Sequence, residues 1–588
     1  MIRRRFAGFL SVLLGLFAVP GILAAQPATP PQTSPPPTSQ FPGMPRRDPT
    51  QPPQEAGAAT IKGRVVALDT GAPLRHVQLR LSGEKLRPGR ATLTDAQGQY
   101  EFKDLVAGRY SLMASKGGFV MLQYGQRGPR DSGRAIQLTD RQTLDKVDIA
   151  LPRGAVITGR VVDEAGEPVS DMSVQAMQYR LMNGKRRLVS AGGYRGTATN
   201  DIGQYRIYGL PPGEYYVSVS GRQGQMMGMD VQQDDNSSGY APTYYPSTPS
   251  VAEAQKVAIG VGEEAVADIQ LVPTRVVRIS GTLVTSAGKP PTMGFVTLQQ
   301  RGGDVIGPGM MGGTGPVRPD GTFTLNGVPT GSYTLTAMAN MKGDFDFNPA
   351  EMETASMPIT VTGQDLTDVR LATSVGASLS GRLIFEGGTP EPNTMRQIRA
   401  GCFPVDQESP VFGGSIPVTA DEQGQIQIKN LSVPCMINAF GMQSGWALKS
   451  VTLNGIDITD RPFEPSGKSQ AGLEVTLTNR VTTLSGSVQS TQDQPAKEYT
   501  VIVFPEDTQR WQAPLAQRYI RRARPDQQGT FKLTGLPPGR YLVAAFENIE
   551  EGTEMDPEYL TRIQSVATRT ELLEGGTQTV SLKLSQNR

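Results

Sequence analysis

The sequence contains few of the side chains that enzymes and metal sites commonly use: one histidine, two cysteines and two tryptophans among 588 residues. A zinc protease of the HExxH type needs two histidines, so the single His76 excludes that class. The GxSxG signature of serine hydrolases and the GxxxxGK[ST] phosphate loop are also absent. His76 lies in the alternating segment RHVQLRL, and we interpret it as a structural or surface residue. We therefore predict no enzymatic activity, no cofactor and no metal site.

A strong net charge is also absent, since 57 basic residues stand against 55 acidic ones. Without the three arginines at positions 3 to 5 the count becomes 54 against 55, a net charge of −1. This balance leaves no electrostatic footprint for nucleic acid and does not favour strong binding to anionic lipid. Beyond residue 25, no apolar run approaches the 18 residues of a membrane-spanning helix. We predict no nucleic-acid partner and no transmembrane span in the mature chain.

The N-terminus has the pattern of a secretory signal peptide over residues 1–25: three arginines, an apolar stretch from Phe6 to Val19, and small residues before Ala25. Residues 26–59 contain eleven prolines and few large apolar side chains, which favours a disordered linker. We therefore expect a bacterial protein that is secreted, periplasmic or displayed on the outer cell surface.

One motif occurs five times along the chain. It reads GLPPGEYYVSV at 209–219 and GLPPGRYLVAA at 535–545, and weaker copies are DLVAGRYSLMA (104–114), GVPTGSYTLTA (327–337) and NLSVPCMINAF (430–440). A glycine lies six residues before each copy, and an acidic residue precedes that glycine by one to three positions. These pairs are Asp95 and Gly98, Asp201 and Gly203, Asp320 and Gly321, Asp421 and Gly424, and Asp526 and Gly529.

A second motif precedes the first in each copy: IKGRVVAL from 61, ITGRVVDE from 157, ISGTLVTS from 279, LSGRLIFE from 379 and LSGSVQST from 484. Its glycines are 96, 122, 100 and 105 residues apart, so the chain is predicted to consist of five tandem repeats. We call them repeat 1 (60–152), repeat 2 (153–273), repeat 3 (274–373), repeat 4 (374–480) and repeat 5 (481–588).

Each repeat reads as a series of short strands. The GRVV element is rich in valine and leucine, the Asp-x-x-Gly device is typical of a hairpin turn, and the prolines of GLPPG prevent a continuing ladder. The tyrosine that follows is expected to bury its ring and bond its hydroxyl to backbone at this corner: Tyr110, Tyr215, Tyr333 and Tyr541. One helix is predicted after Asp556.

We therefore predict an all-β chain of five Greek-key sandwiches. Because only a few residues separate the last strand of one repeat from the first strand of the next, we expect an extended, end-to-end array.

These residues resemble the carboxypeptidase regulatory-like domain, a transthyretin-like (prealbumin-like or immunoglobulin-like) sandwich within the wider group of starch-binding-domain-like folds. Repeats 1, 2, 3 and 5 match its pattern well. Repeat 4 departs from it, since Pro434 replaces the corner glycine and Met436 the tyrosine. The resemblance implies a fold and not an activity, because the family name records an association with an enzyme.

Aromatic residues could serve as stacking platforms for sugars. The segment YAPTYYP supplies Tyr240, Tyr244 and Tyr245, and Trp511 lies in a long polar insertion. The alternative for the tyrosines is packing at the edge of the sandwich. The repeated aspartates could be imagined as calcium ligands, but we interpret them as turn caps. The methionine clusters at 226–229 and 310–311 are interpreted as loops and not as copper sites.

The two cysteines, Cys402 and Cys435, both lie in repeat 4. In an exported protein an even count suggests a disulfide, and we expect this pair to form one.

We interpret the chain as an exported, non-enzymatic protein that serves as a structural or interaction rod for an unknown protein or glycan partner. The first alternative is a carbohydrate-binding protein. A weaker alternative is an accessory subunit of a surface peptidase or transporter.

Overall fold

The computed structural model describes residues 57–83, 86–126, 128, 131–182, 184–191, 197–221, 238–301, 305–306, 311–340, 352–388, 390, 395, 397–405, 417–442 and 445–586. The predicted signal peptide, nearly all of the predicted linker, and the methionines at 226, 227, 229 and 310 lie outside these residues. The chain divides into two compact units, 1–53 and 54–588, and every described residue belongs to the second.

Repeat 1 forms two sheets from short strands with alternating burial, such as Gln99–Leu105, where Tyr100 and Phe102 point inward. Its strands are β1 (Ala59–Ala67), β2 (Gln78–Gly83), β3 (Leu86–Leu93), β4 (Gln99–Leu105), β5 (Gly108–Ser115), β6 (Leu122–Gln123), β7 (Ile136–Leu138), β8 (Thr143–Leu144) and β9 (Ile149–Leu151).

Repeat 2 follows the same order with a longer central hairpin. Its strands are β10 (Ala155–Val162), β11 (Ser173–Met182), β12 (Lys185–Ser190), β13 (Thr197–Ala198), β14 (Gln204–Leu210), β15 (Gly213–Ser220), β16 (Ser238–Tyr240), β17 (Thr243–Tyr244), β18 (Val257–Ile259), β19 (Glu264–Val266) and β20 (Ile269–Gln270).

Repeat 3 consists of β21 (Pro273–Val284), β22 (Gly294–Gln300), β23 (Val305–Ile306), β24 (Met311–Pro316), β25 (Thr322–Pro329), β26 (Gly331–Ala339), β27 (Glu353–Val361) and β28 (Leu366–Ala372). Repeat 4 consists of β29 (Ala377–Glu386), β30 (Arg399–Pro404), β31 (Val418–Thr419), β32 (Gln425–Leu431), β33 (Cys435–Phe440), β34 (Ala447–Leu453), β35 (Ile456–Asp457) and β36 (Gln470–Thr478).

Repeat 5 adds helices to the sandwich. Its elements are β37 (Thr483–Gln489), β38 (Thr500–Pro505), α1 (Ala516–Tyr519), β39 (Arg521–Ala523), β40 (Thr530–Thr534), β41 (Gly539–Phe546), α2 (Pro557–Ile563), β42 (Thr568–Leu572) and β43 (Thr577–Ser585), with 3₁₀ turns at Thr508–Trp511, Thr553–Met555 and Gln564–Val566. Helix α2 begins where the sequence predicted, and the Asp556 carboxylate accepts a hydrogen bond from the Glu558 backbone N–H at 2.9 Å.

The first strand of each repeat lies between an antiparallel and a parallel neighbour. The strand after the Asp-x-x-Gly turn pairs antiparallel with it, and the last strand of the repeat pairs parallel with it. The second sheet contains the strand that begins in the GLPPG motif: β5, β15, β26, β33 or β41. The predicted all-β sandwich fold is confirmed.

Repeat 4 departs from this plan at the same place where its sequence departs. In each of the other repeats a later strand pairs antiparallel with the strand that follows the corner: β7 with β5, β18 with β15, β27 with β26 and β42 with β41. In repeat 4, β34 instead pairs antiparallel with the last strand, β36. The second sheet of repeat 4 is therefore reduced to β31, β30 and β33.

The buried apolar side chains form clusters that each draw on one repeat, for example Ala59 to Leu151 in repeat 1 and Ala377 to Leu477 in repeat 4. Repeat 5 has two such clusters, one between its sheets and one beneath its helices. The bounds of the repeats remain predictions, and these clusters are compatible with them.

Neighbouring repeats make direct contacts. Strand β16 of repeat 2 pairs with β21 of repeat 3, and β12 pairs with β23. Lys449 of repeat 4 forms an ion pair with Glu574 of repeat 5 at 2.8 Å. The turn of the β11–β12 hairpin also reaches repeat 5, because a Cβ on Gly184 would lie 2.5 Å from the Met555 carbonyl oxygen.

The first repeat also contacts the last one, which corrects the expected extended array. Gln137 donates its backbone N–H to the Gln527 side chain at 3.2 Å, and Arg109 donates to the Lys532 carbonyl oxygen at 3.4 Å. A short linker limits how far two neighbours separate, but it does not fix the direction in which a row of repeats turns. Small rotations at successive junctions accumulate into curvature. The described array is closed between repeat 1 and repeat 5.

Candidate functional site

Trp511, predicted as a sugar-stacking residue, belongs to the core. Its side chain is 3% exposed, and its indole N–H donates to the Pro505 carbonyl oxygen at 2.7 Å. Its ring packs edge-on against Phe504, with 5.6 Å between the ring centroids. A ring enclosed in this way offers no face to a ligand, so this prediction is wrong. The polar insertion around Trp511 folds over the sheet and buries the indole.

The three tyrosines of the YAPTYYP segment do not form one platform. Tyr244 is buried, and Tyr245 is half-buried against the core of repeat 2. Tyr240, on β16, is half-buried and donates its hydroxyl to the Glu164 carboxylate at 3.0 Å. Burial, with the hydrogen bond and charge of Glu164, raises the pKa of Tyr240 to about 12. Only Tyr240 and Tyr245 therefore keep part of their surface accessible.

The four corner tyrosines share one geometry. Each ring is buried, and each hydroxyl donates to the carbonyl oxygen four residues earlier, as Tyr110 does to Val106 at 2.6 Å and Tyr541 to Pro537 at 2.8 Å. The other two pairs are Tyr215 with Pro211 at 2.5 Å and Tyr333 with Pro329 at 3.0 Å. A proline of the motif thus presents the carbonyl group that the hydroxyl binds in repeats 2, 3 and 5, and Val106 presents it in repeat 1.

The first residue of the motif has a role that sequence reasoning missed. It adopts a positive φ in every repeat: 55° at Asp104, 75° at Gly209, 69° at Gly327, 61° at Asn430 and 79° at Gly535. Glycine, asparagine and aspartate tolerate this conformation best. In repeats 1 to 4 the pairing register with the first strand shifts at this point, which makes it a β-bulge. The sequence could have indicated this bulge, because the position holds Gly, Asp or Asn in every repeat.

The repeated acidic residues cap turns. Asp95 Oδ1 accepts the backbone N–H groups of Gln97 at 2.9 Å and Gln99 at 2.7 Å, and Asp421 and Asp526 act in the same way. Repeat 2 corrects the assignment made from the sequence, because Asn200 caps this turn and not Asp201. In repeat 3, Asp320 caps Thr322 from within the turn at 2.9 Å.

The GRVV motif needs a glycine because backbone near the end of the repeat passes very close to this position. A Cβ on Gly63 would lie 2.0 Å from the Val147 carbonyl oxygen, and one on Gly159 would lie 2.2 Å from that of Ala267. The same approach occurs at Gly281, Gly381 and Gly486, at distances of 1.9, 1.8 and 2.1 Å. The hydroxyls of Tyr100 and Tyr205 also bond the carbonyl oxygens facing Gly63 and Gly159.

Cys402 on β30 and Cys435 on β33 are joined by a disulfide with an S–S distance of 2.09 Å. Both cysteines are buried in the core of repeat 4. The bridge therefore links two of the three strands of the reduced second sheet, β30 and β33.

A charged cluster between repeats 1 and 5 was not predicted. The Glu498 carboxylate lies between Arg134 of repeat 1, at 2.6 Å, and Arg524 of repeat 5, at 2.7 Å. Arg524 also donates to the carbonyl oxygens of Gly125 and Ser132 in repeat 1, both at 2.8 Å. The sequence alone could not reveal this cluster, because Arg134 lies more than 360 residues from its partners Lys497 and Glu498.

A buried carboxylate in repeat 3 is fully engaged by its own repeat. Glu353 is 5% exposed and accepts the backbone N–H and the hydroxyl of Ser286, both at 2.7 Å, and the hydroxyl of Thr373, also at 2.7 Å. Burial alone would raise its pKa, but these hydrogen bonds hold the pKa of Glu353 below its ordinary value. Glu353 therefore anchors a turn to β27.

A cleft of about 400 Å³ lies between repeats 3 and 4, and its lining mixes hydroxyl groups and one arginine with apolar side chains: Thr336, Thr354, Ala355, Ser356, Met357, Arg370, Leu371, Ala372, Ser374, Ser432 and Val433. Within the described ranges, no group of three histidine, cysteine, aspartate or glutamate side chains could hold a metal ion. His76 is exposed in a turn before β2. In the same part of the chain, no helix has the length and apolar character needed to cross a membrane.

The repeated geometry has a counterpart among known families. The family model described as the carboxypeptidase regulatory-like domain matches residues 60–152 and 156–272. These two segments are carboxypeptidase regulatory-like domains. They cover repeats 1 and 2 and follow each other directly, so the chain carries regulatory-like domains in tandem. The family match explains the shared corner and turn residues and assigns no activity to them.

Comparison with solved structures gives weak likenesses only. The Bacillus anthracis TIE protein is 11% identical, with 69% of this chain and 68% of that chain covered and a TM-score of 0.14. The minor pilin GBS52 of Streptococcus agalactiae is 16% identical, with 37% and 98% covered and a TM-score of 0.20. The major pilin subunit of Bacillus cereus is 12% identical, with 54% and 99% covered and a TM-score of 0.12. Scores of this size give no ground for transferring a function. No curated protein sequence matches the chain.

Tyr541→Ala is expected to destabilise repeat 5 by about 3–5 kcal/mol, because it removes a large buried ring. Tyr541→Phe keeps the ring and loses one hydrogen bond, so we expect about 1 kcal/mol. Amide hydrogen exchange in β41 measures both effects. Tyr208→Ala is the control, since Tyr208 is 62% exposed. Equal exchange in wild type and Tyr541→Ala would refute a structural role for the corner.

Gly63→Ala should destabilise repeat 1 by roughly 1–3 kcal/mol, because the new methyl group would meet the Val147 carbonyl group. The matched control is Gly117→Ala, where a Cβ meets nothing within 4 Å. Exchange rates of β1 and β9 amides report the difference. Unchanged rates in Gly63→Ala would contradict the packing explanation for the motif.

The disulfide should be present in the protein as purified without reductant, so a thiol assay on the denatured chain is expected to find no free cysteine. Reduction should destabilise repeat 4 by about 3–4 kcal/mol on the chain-entropy model, given the 33-residue separation of the cysteines. Two free thiols per chain in the unreduced protein would rule the bridge out.

Proposed function

We propose that the protein is an exported, non-enzymatic interaction protein made of five sandwich repeats, with the bounds 60–152, 153–273, 274–373, 374–480 and 481–588. In this proposal, residues 1–25 direct export and residues 26–59 form a spacer. The site of action is the periplasm, the outer cell surface or the surroundings of the cell. The repeats act together as a closed scaffold that presents loops to a protein partner.

The proposal rests on the contacts that the shared motif residues make. The corner tyrosines, the turn caps and the first-strand glycines each bond or pack within their own repeat. The residues that recur are thus accounted for by folding, and a binding surface would be formed by loops and insertions that differ between the repeats. Binding by variable loops on a constant scaffold is a common arrangement in sandwich proteins.

Carbohydrate binding is less well supported than protein binding. Two of the four residues considered for stacking, Trp511 and Tyr244, are buried. Tyr240 and Tyr245 retain accessible surface, and they are the residues through which a sugar would have to bind in that alternative.

The test is a paired screen of the mature chain, residues 26–588, against a glycan array and against envelope proteins of the producing cell. We expect a saturable protein partner and no glycan signal. Dose-dependent glycan binding that Tyr240→Ala abolishes, and that the control Tyr208→Ala preserves, would replace the proposal with a carbohydrate-binding function.

A further inference from the structure

The contact between repeats 1 and 5 differs from the interiors of the repeats in its chemistry. Among the described residues, the apolar cluster of repeat 1 contains only residues of repeat 1, and the two clusters of repeat 5 contain only residues of repeat 5. The bonds that join the two repeats are ion pairs and hydrogen bonds. Separating the repeats therefore opens no apolar core.

The centre of this contact is a carboxylate shared by two arginines. Glu498 Oε1 lies 2.6 Å from Arg134 Nη2, and Glu498 Oε2 lies 2.7 Å from Arg524 Nη2. The arginine side chains are 12% and 7% exposed, and the glutamate is 38% exposed. Hydrogen bonds between ionised groups are stronger than those between neutral groups, and they are stronger still when they are shielded from water.

The two arginines also bind backbone of the opposite repeat. Arg524 of repeat 5 donates to the carbonyl oxygens of Gly125 and Ser132, and Arg134 of repeat 1 donates to the Lys497 carbonyl oxygen. The two guanidinium groups thus cross the boundary between the repeats in opposite directions. The loss of either arginine therefore removes bonds across the contact.

A contact of this kind is sufficient for closure because both partners belong to one chain. Tethering gives the two repeats a high effective concentration, so a small polar contact can hold them together. It can also be released without opening a core, since the apolar clusters of repeats 1 and 5 are each confined to their own repeat.

We propose that Arg134, Glu498 and Arg524 form a latch that holds repeat 1 against repeat 5, and that release of this latch separates repeat 1 from repeat 5. Opening removes repeat 5 from the 131–135 segment of repeat 1, which is half-buried in the closed form. The latch is therefore a conformational device added to the interaction function, and its test does not depend on which partner the protein binds.

The experiment is small-angle X-ray scattering on the full mature chain, with Arg134→Glu and Arg524→Glu as separate variants. Arg134→Glu places a second carboxylate across the contact from Glu498. Arg524→Glu replaces the donor that binds the Gly125 and Ser132 carbonyl oxygens with a carboxylate that repels them. We expect the radius of gyration to rise in both variants, by less than the roughly 1.5-fold change between a compact chain of this length and an open row of repeats. The rise is smaller because the turn of the β11–β12 hairpin still contacts repeat 5. Arg569→Glu, the same charge change at an 85% exposed side chain of repeat 5, should leave the radius of gyration unchanged.

Amide exchange of β38 and β41 is measured on the same samples to separate opening from unfolding. Retained protection together with the larger radius supports the latch. An unchanged radius in both variants overturns it. A rise that occurs only where repeat 5 has lost its protection also overturns it, because the change would then come from unfolding.

Discussion

The close approach of the last strand to the first strand is the constraint on which each repeat depends. A carbonyl group lies where the side chain of any residue other than glycine would stand. It belongs to the last strand at Val369, Leu473 and Val580, and to the residues just before that strand at Val147 and Ala267. With this approach the first strand takes a parallel neighbour on one side and an antiparallel neighbour on the other. The sheet is then complete, and the chain has to cross to the second sheet at a fixed place.

The crossing of the chain to the second sheet explains the second group of recurring residues. A residue with positive φ makes the bulge, prolines end the ladder, and a tyrosine closes the corner by bonding backbone four residues back. Repeat 4 has a changed corner and a changed sheet. It keeps Asn430 in the left-handed conformation but has Met436 in place of the tyrosine, and its later strand β34 pairs in the other sheet. A disulfide crosses the smaller second sheet that results.

Local pattern in the sequence was sufficient to predict the strands, the turns, the corner and helix α2, because these depend on residues close together in the chain. Trp511 was misassigned because the polar residues around it suggested exposure, while the insertion that holds them folds back over the sheet. The turn cap of repeat 2 was misassigned because Asn200 and Asp201 are adjacent, and position relative to Gly203 decides which one caps. The contact of repeat 1 with repeat 5 could not be predicted, since curvature is the sum of several junctions and no local pattern records it.

Closure of the array is the central claim, and an internal cross-link tests that claim most directly. Gln137 and Gln527 face each other across the contact. Cysteines at these two positions, in the otherwise unchanged mature chain, should be joined by a short bifunctional maleimide within single molecules, while the native disulfide keeps the other two cysteines unreactive. The expected product is a monomer with residues 137 and 527 linked, independent of protein concentration. Cross-links found only between molecules, or none at all, would contradict the closed array.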